Sequence, residues 1–374
     1  MDTHSSSSPR KLLLVLPEVF NCAGGIQMFC RALCLAAGDW AHQSGALVSA
    51  LVLNDSLAPD PRYVNGNFTS YLGAGKNKTK FVSQFLRHII SNRYDWIIFG
   101  HVSLSPLAQV ARLFNPRAKT GVVAYGNEVW QPLTRIRRWV MREVDVVLAI
   151  SDHTKDELVR HSDVPAEKVK ILPCALDPHW DLGFSTGNFE SKPPLILTVA
   201  RMTKEDTHKG IDSVIKSLPA VMNQVGPIEY RVVGAGDDVP RLQSLAAELG
   251  IAKNVLFMGG LEDAELREHY RRCSLFVLPS GQEGFGIVFL EAMAYGKPII
   301  GGLHGGTPFV VKDRETGWLV GWSNVEEIAQ AIIMFLRDGD LRQKFGHAGY
   351  HRLIGEFTFD KFAQKFNQIL LEFS

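Results

Sequence analysis

With 374 residues, 46% of them apolar and 21% charged, the chain is long enough for two hydrophobic cores and too ordinary in composition to be fibrous or disordered. A formal net charge of +1 excludes a general electrostatic pull on nucleic acid, which calls for a basic excess. Five scattered cysteines (Cys22, Cys30, Cys34, Cys174, Cys273) with no CxxC pair fit buried thiols in a reducing compartment better than disulfides or zinc.

In chain order, residues 1–9 are polar and serine-rich. A strand is expected at 11–16, an apolar run too short for a signal h-region or a bilayer span, so the protein is expected to stay in the cytoplasm. Strands are next expected at 46–53, 96–100, 121–124, 144–150 and 170–172. Helices are expected near 25–42, 79–93, 106–114, 131–142 and 151–160, the last with Ser151 or Asp152 as N-cap. Strand alternating with amphipathic helix is the pattern of a parallel sheet covered on both faces, giving a first Rossmann-like domain at 1–176. Residues 177–194 carry Gly, Ser, Pro and aromatic side chains without periodicity and read as a linker. The alternation restarts with strands at 195–200, 230–234, 255–257, 275–278 and 298–301, giving a second Rossmann-like domain at 195–355. A closing helix is expected at about 360–373, within a final segment, 356–374. The fold class is α/β, with two Rossmann-like domains in tandem.

The densest chemistry lies where the 275–278 strand gives way to a helix at 287–294. Gly284 and Gly286 free the backbone to turn, with Phe285 between them, and Glu283 and Glu291 stand eight positions apart around that turn. At the carboxyl end of a parallel strand such a turn faces the ligand crevice; helix-start N–H groups suit phosphate and carboxylates accept from hydroxyls. A sugar nucleotide offers both. Arg201 ends a strand and Lys209 opens the following helix, a pair of cations suited to a diphosphate.

The Glu283-to-Glu291 segment resembles the E-x7-E motif of retaining glycosyltransferases of the GT-B fold, family 4, and the Arg201–Lys209–Gly210 element resembles that family's R-x(n)-K-G. The resemblance spans nearly the whole chain. It implies two domains facing each other across a cleft, with the last helix packing back on the first. It assigns Glu283 to the sugar hydroxyls, Glu291 to the nucleotide ribose, and Arg201 and Lys209 to the diphosphate. The second-domain turns 234–238 and 259–262 would enclose the base. Gly24 and Gly25 match the N-terminal glycine loop, implying donor-phosphate or acceptor contact, and Gly305 and Gly306 would bring backbone near the donor. A front-face reaction is implied, in which the departing phosphate oxygen takes the acceptor's proton, with no metal and no bound cofactor beyond the donor.

His101 and the turn Tyr125-Gly126-Asn127-Glu128 follow first-domain strands and face either sugar. His101 has a pKa suited to proton handling, against the plainer reading of a structural histidine. Many family members carry His-Gly-x-Glu at the second position; tyrosine, in its place here, is a poor proton acceptor near neutral pH. Gly100-His101 followed by Gly-x-Glu-Val-Trp resembles mannosyl and related transferases, which favours GDP-mannose over a UDP-sugar. The acceptor is a glycan, a lipid-linked sugar or a small-molecule hydroxyl. Between Trp130 and Arg142, Arg135, Arg137, Arg138 and Trp139 also fall on one predicted helix, either a solvated face or a peripheral contact with the inner membrane surface. Two other functions stay open: a sugar-nucleotide epimerase of the same fold, and a catalytically silent sugar-nucleotide-binding protein.

Overall fold

The computed structural model describes residues 9–22, 24–184 and 191–373. The serine-rich start through residue 8 and residues 185–190 of the predicted linker lie outside the described residues. The chain forms two compact units, Met1–Asp177 with Phe359–Ser374, and Pro178–Thr358.

The first unit is built on β1 (Lys11–Leu16), α1 (Gly25–Ser44), β2 (Leu47–Val52), β3 (Phe68–Gly73), α2 (Lys78–Ser91), β4 (Trp96–Phe99), α3 (Leu107–Phe114), β5 (Lys119–Ala124), α4 (Arg135–Glu143), β6 (Val146–Ala149), α5 (Asp152–Ser162) and β7 (Val169–Ile171). Its sheet is parallel throughout, in the order β3-β2-β1-β4-β5-β6-β7. The central strands are apolar on both faces because helices cover both, which is why they stand out in the sequence. β3 does not: it is an edge strand, only part-buried along its length, and lacks the continuous apolar run that marks the others. α4 starts at Arg135 rather than at 131, since Pro132 pushes the residue before it out of the helical region. Ser151 caps α5 by accepting the Thr154 N–H at 3.2 Å.

The second unit runs through β8 (Leu195–Val199), α6 (Ile211–Val225), β9 (Glu229–Val233), α7 (Val239–Glu248), β10 (Val255–Gly259), α8 (Asp263–Arg272), β11 (Leu275–Leu278), α9 (Ile287–Ala294), β12 (Ile299–Gly302), α10 (Thr307–Val310), β13 (Trp318–Val320), α11 (Val325–Arg337) and α12 (Gly339–Glu356). Its parallel order is β10-β9-β8-β11-β12-β13, the nucleotide-binding order counted from β8. The start of the predicted linker is anchored here: Trp180 meets Tyr270 edge-on at 6.0 Å and Phe184 stacks on Tyr350 at 4.4 Å.

A last helix, α13 (Phe359–Glu372), returns to the first unit, where Phe362 packs edge-on against Phe29 of α1 at 5.3 Å. Phe362, Phe366, Ile369 and Leu370 are all buried, at the spacing that aligns one helix face. Among the described residues no helix is long and apolar enough to cross a membrane.

Candidate active site

In an open parallel sheet, the loops leaving two neighbouring strands whose connections run in opposite directions part at the carboxyl edge and leave a crevice. In the second unit that reversal falls between β8 and β11, which pair through Ile196 with Leu275 and Leu197 with Phe276. Arg201 stands two residues past β8. Lys209 ends a 3₁₀ turn, Lys204–Lys209, and does not open α6 as the sequence suggests; Gly210 follows in the left-handed region (φ 72°) and separates turn from helix.

Lys209 Nζ donates to Glu283 Oε2 at 2.6 Å, with both side chains largely withdrawn from solvent. Gly281 N–H donates to the His208 carbonyl at 2.7 Å, so the post-β8 and post-β11 loops are joined twice. Gly286, at φ 88°, caps α9 in the left-handed conformation that favours glycine. Gly306 N–H donates to the Glu283 carbonyl at 2.5 Å, and a side chain on Gly306 would overlap the Gly284 carbonyl. Gly305 lies against the same Glu283 backbone. The ring of Phe285 turns inward, against Phe357 at 5.7 Å and Phe309 at 6.0 Å, so only its backbone is left for a ligand.

The other two candidates of this unit are engaged by groups that sequence reasoning passed over. Arg201 Nε and Nη2 donate to Asp206 Oδ2 and Oδ1 at 2.6 and 3.1 Å, and Thr203 Oγ1 donates to Asp206 Oδ2 at 2.7 Å. Burial pushes the Asp206 carboxyl up, but those hydrogen bonds and the positive charges of Arg201 and Lys209 outweigh it and hold it below the usual range. Glu291, 5% exposed, accepts from the hydroxyl of Tyr270 at 2.7 Å. Tyr270 is wholly buried, its ring parallel to Tyr295 at 6.1 Å. Asp206 sits five residues beyond Arg201 in an irregular turn and Tyr270 in a helix of another loop, so no spacing pattern announces either.

In the first unit the reversal falls between β1 and β4. Gly24 precedes α1 and Gly25 is its first residue. The loop before them is shaped by Asp55, which is fully buried and accepts from the Val19 and Phe20 N–H groups at 3.0 Å each and from the Tyr71 hydroxyl at 2.6 Å. His101 follows β4 and caps a short 3₁₀ turn, Val102–Leu104: the Ser103 N–H donates to His101 Nδ1 at 2.9 Å. A backbone N–H only donates, so Nδ1 is unprotonated and the ring proton sits on Nε2. Burial holds the ring below its ordinary pKa, with Glu128 opposing and Arg137 reinforcing. His101 is therefore a neutral ring that can donate through Nε2.

Tyr125 is buried, its ring 5.9 Å from that of His101 and stacked at 24°. Its hydroxyl donates to the Gly100 carbonyl at 2.9 Å, and burial pushes its pKa well up. Glu128 accepts the Tyr125 N–H at 2.5 Å, and Asn127 is exposed at the tip of the turn. On α4, Ile136 and Trp139 are 65% and 54% exposed, and Arg138 pairs with Asp163. Among the described residues no three His, Cys, Asp or Glu side chains are grouped to hold a metal ion.

Two family models match adjoining stretches, one described as Glycosyltransferase Family 4 over residues 23–180 and one as Glycosyl transferases group 1 over residues 184–352. The chain is similar to the GDP-mannose-dependent alpha-(1-6)-phosphatidylinositol monomannoside mannosyltransferase of Mycobacterium tuberculosis, 29% identical over 312 residues that cover 76% of this chain and 77% of that protein. It is also similar to the GDP-mannose-dependent monoacylated alpha-(1-6)-phosphatidylinositol monomannoside mannosyltransferase of Corynebacterium glutamicum, 28% identical over 315 residues, 78% and 80% of the two chains. Among solved structures, sucrose-phosphate synthase of Thermosynechococcus elongatus matches with a TM-score of 0.79 at 22% identity, over 97% of this chain and 98% of that one. Anabaena HepE in complex with UDP and glucose matches with a TM-score of 0.74 at 18% identity, over 97% and 100%. These two likenesses carry the fold, which is GT-B. With two nucleotide-fold sheets, a strand-order reversal in each and family matches spanning nearly its whole length, the chain belongs to the family 4, group 1 glycosyltransferases.

Proposed function

We propose that the protein is a retaining hexosyltransferase that moves a sugar from a nucleoside diphosphate donor, GDP-mannose in preference to a UDP-sugar, to a hydroxyl of a lipid-linked or glycan acceptor. The observation that carries this reading is the Lys209–Glu283 pair at the β8/β11 reversal, 2.6 Å apart. When donor enters, Lys209 exchanges its carboxylate for phosphate oxygens, and Glu283 is released to accept from the sugar's hydroxyls. Arg201 adds the second cation, and Glu291 takes the ribose. The backbone of Gly284, Phe285, Gly286, Gly305 and Gly306 lies along the same loops and forms the donor's bed.

The departing phosphate gains charge in the transition state, and two fixed cations answer that demand without a metal ion. The phosphate oxygen takes the acceptor's proton on the same face. This chemistry accommodates Tyr125, whose hydroxyl is committed to Gly100, and His101, which has a proton to donate. Within the first unit, His101 and Asn127 follow β4 and β5 as acceptor-contacting candidates, and Gly24 and Gly25 stand at the start of α1, where a helix N-terminus suits phosphate. GDP-mannose is favoured by what the mycobacterial and corynebacterial relatives use, and a lipid-linked acceptor by the phosphatidylinositol mannosides named for them. α4 would bring the enzyme to the cytoplasmic membrane face through Ile136, Trp139 and its arginines.

The test is a thermal-shift panel of GDP, UDP, GDP-mannose and UDP-sugars, followed by transfer assays with the donor that binds, in the presence and absence of EDTA. Transfer that withstands EDTA and leaves an axial product from an axial donor is expected. Interconversion of the donor with no acceptor present would instead make the protein an epimerase. Binding with neither transfer nor hydrolysis would make it a silent sugar-nucleotide receptor.

A further inference from the structure

Arg201 is the most exposed member of the second-unit site, its side chain 72% accessible, yet its guanidinium is not free to turn. One bidentate edge, Nε with Nη2, lies on Asp206, and the Asp206 carboxylate is itself only 7% exposed and accepts a further bond from Thr203 Oγ1 at Oδ2, the oxygen that takes Arg201 Nε. A planar guanidinium has a second bidentate edge, formed by Nη1 and the outer proton of Nη2. That edge has no partner among the described residues. An exposed arginine ordinarily samples many rotamers and loses that freedom on binding a ligand; one already fixed by a buried carboxylate does not.

We propose that Asp206 is a positioning residue: supported by Thr203, it braces Arg201 so that the remaining edge of the guanidinium is presented to the donor diphosphate. The inference rests on Arg201 contacting that diphosphate. A competing effect runs the other way, because a carboxylate beside the cation weakens its pull on an anion. Arg201 stands largely in water, where that long-range loss is screened, while the orientation gained by two directed hydrogen bonds is not. Bracing therefore wins.

The experiment compares wild type, Asp206→Asn, Arg201→Ala and the double variant by titration calorimetry with GDP and UDP, and by ligand-observed NMR with guanosine and uridine. Arg201→Ala tests the underlying reading alone, and unchanged diphosphate binding there removes Arg201 from the clamp. Given a loss in that variant, Asp206→Asn is expected to weaken diphosphate binding about three- to tenfold, to leave nucleoside binding unchanged, and to cost nothing further once Arg201 is gone. Unchanged or tighter diphosphate binding in Asp206→Asn overturns the brace. So does an equal loss with and without Arg201. Should Asp206→Asn fold poorly, Thr203→Val, which removes one support of the same carboxylate, must give a smaller loss in the same direction, and no loss there counts against the proposal.

Discussion

Glu283 and Lys209 are largely withdrawn from solvent, so removing one of them leaves the other charge without its partner and costs stability as well as activity. A charged group facing a developing phosphate anion is worth on the order of a hundredfold or more in rate. Lys209→Ala is accordingly expected to lower the urea midpoint and to reduce transfer by about two orders of magnitude, whereas Glu283→Gln, which keeps the shape of the side chain, is expected to lower the midpoint less and to reduce transfer as much. Steady-state rates on purified, folded variants decide it, and wild-type rates in either would remove that residue from the reaction. His101 carries a subtler lesson. Its residue type invites the role of base, but the Ser103 N–H on Nδ1 dictates the tautomer, and with it the direction in which a proton is offered.

At the level of elements, α9 was readable residue for residue, because Gly286 precedes it, Gly296 closely follows it, and Glu291 alone breaks the apolar run between them. Most strands were equally plain, being buried on both faces. β3 was not, because an edge strand with half its surface in water carries no such run. The site was legible only as far as its own motifs. Asp206 on Arg201 is made by an irregular turn, Tyr270 on Glu291 by the packing of α8 against α9, and Asp55 under the first-unit loop by the approach of two strand ends, and no regular spacing encodes them. α4 is the element whose exposed side chains most need a reason. Arg135 and Arg142 stand on the same short helix as the exposed Ile136 and Trp139, and each arginine near an anionic surface adds about 1 kcal/mol of attraction. Replacing Arg135 and Arg142 with Gln, and Ile136 and Trp139 with Ser, is expected to cut sedimentation with phosphatidylglycerol vesicles at least about tenfold without changing thermal stability. Equal sedimentation of variant and wild type would assign this helix to solvent.

For the molecule as a whole, acid should be the destabilising direction. His88, His101, His208 and His269 are each held below the ordinary histidine range, in every case chiefly by burial. Below ~6.5 the unfolded chain takes up protons that the folded chain refuses, so stability falls as pH drops through that value toward the folded-state pKa values. Asp206, held low, adds a loss of the same sign further into acid, while Asp39, held high, opposes it there. Urea midpoints are therefore expected to decline between about pH 7.5 and pH 5.5, and a flat or rising midpoint would show that these rings stay wet. The return of α13 has a different reach. Because Phe362 and its neighbours complete a core begun by Phe29, a ribosome delivers every residue of the second unit before it delivers the helix that closes the first. A released chain truncated after residue 358 should thus hold a protease-resistant second unit beside a first one that is still digestible, the first sheet waiting on a helix that lies beyond the whole second unit in sequence.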